Sequence, residues 1–248
     1  MKQKETLAQL PLFDHFSELR SRVIGCAVFF AIAFVLFYTM RADIYDFMTA
    51  PLAKALKDNG LPPALIYTRL TEAFTSSLSL VLKTALLASM PYFAAQAWLY
   101  VAPGLYRDER RAAAPYVIAA PILFTLGMAF AYTLVLPMAF KFLTSFIDNS
   151  AVETPLVLQA KIGEYVALAS SMLFAFGVCF LTPLILVFTV RAGVVSCETL
   201  RRGRKYWIVA AFVIAAVLTP PDVASQVLLA IPLILMYEVA ILLTRRPK

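Results

Sequence analysis

The 248-residue chain is poor in the residues on which most soluble enzyme sites depend. It has one histidine (His15), 8 glycines and 3 cysteines, and only 15% of its residues are charged. One histidine cannot supply a metal site with several imidazoles, and three isolated cysteines do not make a disulfide framework. We therefore predict no metal ion and no cofactor.

Catalytic and nucleotide-binding patterns are also missing from the sequence. No glycine-rich loop is followed by Lys and Ser or Thr, which argues against ATP use by this chain. The many serines have no second histidine or convincing lysine partner, so we predict no catalytic residue and do not expect an enzyme.

Apolar residues dominate instead: 61% of the chain is hydrophobic and the mean hydropathy is +0.79. A chain this apolar is predicted to be an integral membrane protein, and helices are its expected spanning elements because lipid cannot satisfy open backbone groups. Six apolar runs can be marked: Val23–Met40, Leu78–Val101, Ala112–Leu136, Val166–Val190, Tyr206–Leu218 and Val223–Leu243. The first run is expected to stay in the protein as a membrane anchor, since it is longer than the apolar core of a signal peptide.

The basic residues predict the orientation of these spans. With a cytoplasmic N-terminus, 15 of the 22 Lys and Arg fall on the cytoplasmic side, although the two outer loops (41–77 and 138–165) are the longest. This positive-inside bias places both termini in the cytoplasm. It also accounts for the net charge of +7 beside an anionic leaflet, so no nucleic-acid partner is inferred.

We expect one domain, residues 1–248, with an all-α fold of six transmembrane helices. Pro91, Pro121, Pro183 and Pro232 lie inside apolar runs, where each removes a backbone donor, so the bundle is expected to be kinked. The fifth run reaches only ~20 Å at 1.5 Å per residue. This shortness leads to the hypothesis that the region thins the bilayer.

Two carboxylates in basic surroundings are the candidate binding residues. Glu109 lies in a charged stretch between the second and third runs, and Glu18 lies between His15 and Arg20, just before the first run. A carboxylate can accept a bidentate pair of hydrogen bonds from a guanidinium, which suggests a cationic ligand. Spacing alone also fits an interfacial helix start, since Glu18 and Arg22 are four residues apart.

Two further carboxylates have a structural interpretation beside a functional one. Asp222 follows Thr219, Pro220 and Pro221, where it would cap the sixth helix. Glu238 falls in the inner third of that helix, where it is either functional or close enough to the interface to reach water.

The residues taken in order resemble the TatC family, the receptor subunit of the twin-arginine protein translocase, over nearly the whole chain. No single match is specific, but their order and their placement relative to six spans are. The matching residues are His15, Glu18, Leu19, Arg20, Pro51, Gln96, Trp98, Pro103, Leu105, Tyr106, Glu109, Arg110, Phe176, Gly177, Val178, Leu218, Thr219, Pro220, Pro221, Asp222, Val223, Gln226, Ala230, Ile231, Pro232 and Glu238.

The resemblance implies a function and its residues. Glu18 and Glu109 would bind the paired arginines of signal peptides on folded cargo proteins, with Arg20 and Tyr100 shaping the pocket. Three more positions, Pro51, Asp222 and Gln226, would serve partner binding or translocation.

The family also implies a concave bundle and the partners of the chain. TatA/TatB-like single-span subunits would pack on the fifth helix, and the chain would self-associate in a larger complex. The membrane would be the bacterial inner membrane or that of a derived organelle, and transport would draw on the proton gradient.

One position departs from the family pattern. Leu181 stands where the family often has Glu or Gln, so a polar role for the fourth span is not carried over. Two alternatives stay open on the residues alone: an ion or small-solute transporter, for which no inverted repeat is seen, and an intramembrane enzyme.

Overall fold

A computed structural model of the chain describes residues 12–68, 71–101, 107–145, 159–191, 193–218 and 223–244. These residues are almost entirely helical, which confirms the predicted all-α fold class. The helices are α1 (Leu12–Thr39), α2 (Arg41–Asp58), α3 (Glu72–Val101), α4 (Arg107–Phe130), α5 (Leu136–Ser145), α6 (Ile162–Phe180), α7 (Thr182–Arg191), α8 (Cys197–Leu218) and α9 (Val223–Thr244).

Long stretches of apolar helix coincide with the predicted runs. Four of them within the described residues are long and apolar enough to cross a membrane: Phe16–Thr39, Glu72–Tyr100, Ile118–Ser145 and Ile162–Arg191. In α9, Leu229–Thr244 forms a shorter apolar helix. Helix α8 starts at Cys197, well before the fifth run. Its first turns carry four basic residues, so the length of its apolar part is as predicted.

Successive long stretches run in opposite directions. Arg22 near the start of α1 contacts Gln96 near the end of α3, and Tyr237 near the end of α9 bonds to Leu200 near the start of α8. The bundle therefore has a near end, where α1, α4 and α8 begin and α3, α7 and α9 finish. The far end lies opposite and carries α2.

Close contact between α4 and α6 depends on two glycines. A Cβ on Gly177 would lie 2.6 Å from the ring of Phe124, and one on Gly127 would lie 2.5 Å from the carbonyl oxygen of Phe176. The Phe124 ring and the Phe176 backbone thus occupy the space that side chains would need. This contact is part of a large apolar core that α2 also joins through Met48, Leu52, Ala55 and Leu56.

Helix irregularities mark two places in the bundle. The break at Leu181 separates α6 from α7 just before Pro183, as expected where a proline removes a donor. A π-helical segment, Ala131–Val135, joins α4 to α5. Sequence reasoning did not predict the π-helical turn.

Two short strands connect the long loops at the far end. Strand β1 (Leu65–Ile66) pairs in parallel with β2 (Ala160–Lys161), with Leu65 opposite Ala160. These strands were not predicted, because two-residue strands leave no periodic pattern in a sequence.

Candidate functional site

Glu18 forms an ion pair with Arg22 on the same face of α1. The Arg22 guanidinium donates to Oε1 of Glu18 from Nη2 at 2.5 Å and from Nε at 3.0 Å. The side chains are 30% exposed for Glu18 and 23% for Arg22. Both groups are partly withdrawn from water, so the pair is less screened than one on an open helix surface.

Arg22 also connects α1 to α3. Its Nη1 donates to Oε1 of Gln96 at 3.0 Å. One turn later, the rings of Phe29 and Tyr92 stack with centroids 4.4 Å apart. These contacts fix Glu18 relative to the end of α3.

Glu109 is the third residue of α4, which begins at Arg107. Its side chain lies outside the described residues. The backbone nevertheless brings it to the near end, because α4 follows α3 and packs against it in the opposite direction. A carboxylate in the first turn is also favoured by the positive end of the helix dipole.

The other predicted near-end residues lie on α1 and α3. Arg20 is exposed, whereas Tyr100 is half-buried at the second-last position of α3.

An aromatic cluster holds the helices of the near end together. Trp98 of α3 lies 5.5 Å from Tyr116 of α4 and 4.8 Å from Phe188 of α7, measured between ring centroids. Tyr116 and Phe188 complete the cluster at 5.7 Å. Three helices are therefore joined by one set of rings, of which Tyr116 lies two turns after Glu109 on α4.

Two of the three residues predicted for translocation lie at the opposite end. Pro51 is buried within α2, and Gln226 donates from Nε2 to the carbonyl oxygen of Phe212 at 3.0 Å, linking α9 to α8. Asp222 lies outside the described residues. The predicted site residues that the structure describes thus fall into two groups, one at each end.

Sequence reasoning missed two side-chain contacts between different helices. Arg22 was considered only as a helix-surface neighbour of Glu18, and its bond to Gln96 crosses helices. Oε2 of Glu238 lies 2.9 Å from Nη2 of Arg204. This carboxylate therefore forms an ion pair and is not isolated among apolar groups. The four-residue spacing indicated the pair of Glu18 and Arg22, but no local pattern indicates contacts between helices.

A cavity of about 270 Å³ lies at the far end between α2 and residues 63–65. Its lining includes Tyr45, Asp46 and Lys57. Burial, followed by the nearby Tyr67 and Asp46, raises the pKa of Tyr45, so its hydroxyl stays protonated at neutral pH. Among the described residues, no three His, Cys, Asp or Glu are grouped to hold a metal ion.

Comparison with known proteins gives one consistent result. A family model described as Sec-independent protein translocase protein (TatC) matches residues 14–232. The TatC protein of Magnetococcus marinus is 40% identical over 235 residues, which cover 95% of this chain and 84% of the relative. The TatC protein of Escherichia coli K12 is 37% identical over 235 residues, covering 95% and 88%.

Solved structures agree with these relatives. A crystal structure of a twin-arginine translocase receptor, TatC, in the detergent DDM superposes with a TM-score of 0.79 and 33% sequence identity. The superposition covers 94% of this chain and 100% of that chain. A second TatC receptor structure gives a TM-score of 0.75 at 34% identity.

Proposed function

This chain belongs to the TatC family of Sec-independent protein translocase proteins, and on that premise we propose that it is the receptor for twin-arginine signal peptides. It binds the peptide at the near end through Glu18 and Glu109, with Tyr100 and Arg20 shaping the pocket. The single unit 1–248 spans the bacterial inner membrane six times. The observation that carries this proposal is the guanidinium already bound to Glu18.

The Arg22 contact supports the chemistry assigned to Glu18. Two nitrogens of one guanidinium donate to its carboxylate, as a signal-peptide arginine would. An incoming arginine competes with Arg22, which also has Gln96 as a partner. Because the incoming arginine restores the type of contact that Arg22 gives up, the net cost of the exchange is small.

The two carboxylates together explain a preference for paired arginines. A hydrogen bond to a charged group contributes about 1.5–3 kcal/mol, or roughly ten- to hundred-fold in affinity. Lysine offers no planar fork and is a poorer substitute at a bidentate site. The near end therefore favours two adjacent guanidinium groups over two ammonium groups.

Charge supports the orientation. The near end carries Arg20 and Arg22 on α1, Arg107 at the start of α4 and Arg191 at the end of α7, together with the basic first turns of α8. Placing this end in the cytoplasm satisfies the positive-inside rule. Both termini are then cytoplasmic, and a signal peptide reaches the carboxylates before it crosses the membrane.

The outward face of α8 supports assembly with TatA/TatB-like subunits. Along it, Tyr206, Val209, Val213 and Val217 are 70%, 63%, 58% and 80% exposed. Their spacing makes one apolar stripe at helical period, suited to packing against a single membrane-spanning helix. Small residues behind the stripe, Ala211 and Ala215, are buried against the bundle.

Crosslinking of a signal peptide tests the receptor assignment. A twin-arginine peptide with a photoreactive group is expected to crosslink to the wild-type protein in membranes. It should crosslink weakly to the Glu18→Ala and Glu109→Ala variants, both of which still insert in the membrane. Glu198→Ala is the matched control, because Glu198 forms a similar ion pair with Arg202 at 2.8 Å on α8. Unchanged crosslinking in both test variants would defeat the assignment.

A further inference from the structure

Pro51 leaves one carbonyl of α2 without its helical donor. In an α-helix the N–H of residue 51 would bond to the carbonyl of residue 47, but proline has no N–H. The carbonyl oxygen of Phe47 therefore needs a donor from outside α2. Such groups are usually paired, because an unpaired backbone acceptor is unfavourable.

Tyr132 supplies that donor. Its hydroxyl donates to the carbonyl oxygen of Phe47 at 2.5 Å, and its ring stacks on the Phe47 ring with centroids 4.4 Å apart and planes 10° apart. Tyr132 belongs to the π-helical segment Ala131–Val135. The same side chain thus bonds to the backbone and stacks on the side chain of one residue.

Other contacts fix α2 along its length. The buried Tyr165 hydroxyl donates to the next carbonyl, that of Met48. At the other end of α2, Asn59 bonds from Nδ2 to the Thr144 hydroxyl at 2.7 Å. Residue 52 is a leucine, whose backbone N–H can still bond to the Met48 carbonyl. Of the two tyrosine bonds, only that of Tyr132 therefore replaces a missing helical bond.

We propose that Tyr132 is a positioning residue that seats α2 on the far end of the bundle through the Phe47 carbonyl freed by Pro51. Export depends on this placement of α2, which we call the seat, whereas signal-peptide binding at the near end does not depend on it. The role of Tyr132 in export rests on the proposed receptor function, whereas its role in placing α2 does not.

The Phe47 carbonyl can be observed alone, because residues 47 and 48 form the only Phe-Met pair in the sequence. Labelling Phe with carbonyl ¹³C and Met with ¹⁵N isolates its resonance by NMR. Loss of a hydrogen bond moves a carbonyl resonance upfield. We expect this shift in Tyr132→Phe, which keeps the ring, and not in Tyr165→Phe. An unmoved resonance in Tyr132→Phe, or an equal shift in both variants, would overturn the proposal.

Hydrogen exchange tests the coupling to Pro51. A hydrogen bond worth about 1 kcal/mol corresponds to roughly fivefold faster exchange of the α2 amides when it is lost. Tyr132→Phe should show this acceleration. In the Pro51→Ala background, where residue 51 regains its N–H, the same change should accelerate exchange by less than about twofold. Equal acceleration in both backgrounds would contradict the proposal.

An export assay decides the functional part. Cells without their own receptor, carrying Tyr132→Phe, should export a folded twin-arginine reporter several-fold more slowly, while peptide crosslinking at the near end stays within twofold of wild type. Tyr38→Phe is the control, because Tyr38 lies at the far end of α1 and is 42% exposed. Undiminished export would overturn this part. If the wild type fails to crosslink the peptide, the receptor assignment falls, and NMR still decides the seat.

Discussion

Arg22 occupies the carboxylate of Glu18, the residue to which we assign an arginine of the signal peptide. Their closest atoms, Nη2 and Oε1, are 2.5 Å apart, and Arg22 is also held by Gln96. Under the proposed function, Arg22 is an internal guanidinium at the position assigned to the ligand. An incoming arginine would then compete with Arg22 for Glu18.

Removing the internal arginine should strengthen peptide binding. In Arg22→Gln the Glu18 carboxylate loses its internal guanidinium, and the lost competition, worth about 1.5 kcal/mol for a hydrogen bond to a charged group, predicts roughly tenfold tighter binding of a twin-arginine peptide. The dissociation constant of a fluorescent peptide for the purified protein in lipid nanodiscs measures this. Arg202→Gln, which opens a similar pair on α8, should leave affinity unchanged. Weaker binding to Arg22→Gln would show that Arg22 belongs to the site in another way.

Much of the fold follows from the sequence, because length and hydropathy are local properties. The predicted runs coincide with helical stretches, and Pro183 coincides with the break at Leu181. The π-helical turn around Tyr132 and the pairing of Leu65 with Ala160 depend on contacts between distant segments, which no local pattern encodes.

The candidate site was predictable only in part. Family resemblance placed Glu18 and Glu109, and the backbone puts both positions at the near end. The bond from Arg22 to Gln96 and the pair between Arg204 and Glu238 join different helices, so sequence spacing could not predict them. The six spans and the cytoplasmic termini stay predictions.

Substitution of the glycines between α4 and α6 should destabilise the bundle. A Cβ at position 177 would lie 2.6 Å from the Phe124 ring, so Gly177→Ala forces helices or rings apart at a cost of about 1–3 kcal/mol. Thermal unfolding of the purified protein in detergent should show a clearly lower Tm. Gly163→Ala is the control, because the nearest atom there is 3.6 Å away. A Tm equal to wild type for Gly177→Ala would contradict the close packing.

Glu238 can be tested for a role as an intramembrane proton relay. Its pair with Arg204 is partly exposed, at 38% and 48%, so losing it should cost less than about 1 kcal/mol. We expect Glu238→Gln to retain export of a folded twin-arginine reporter. A well-folded variant that exports nothing would favour a proton-relay role, as in transporters. Arg204→Gln, which removes the other partner, should behave like Glu238→Gln if only the pair matters.

The central claim is that two near-end carboxylates select paired guanidinium groups. The most direct measurement compares the dissociation constants of a twin-arginine peptide and its twin-lysine counterpart for the protein in nanodiscs. The wild type should prefer arginine by about tenfold or more, and the combined Glu18→Gln and Glu109→Gln variant should lose most of that preference. An undiminished preference for arginine in the combined variant would contradict the account.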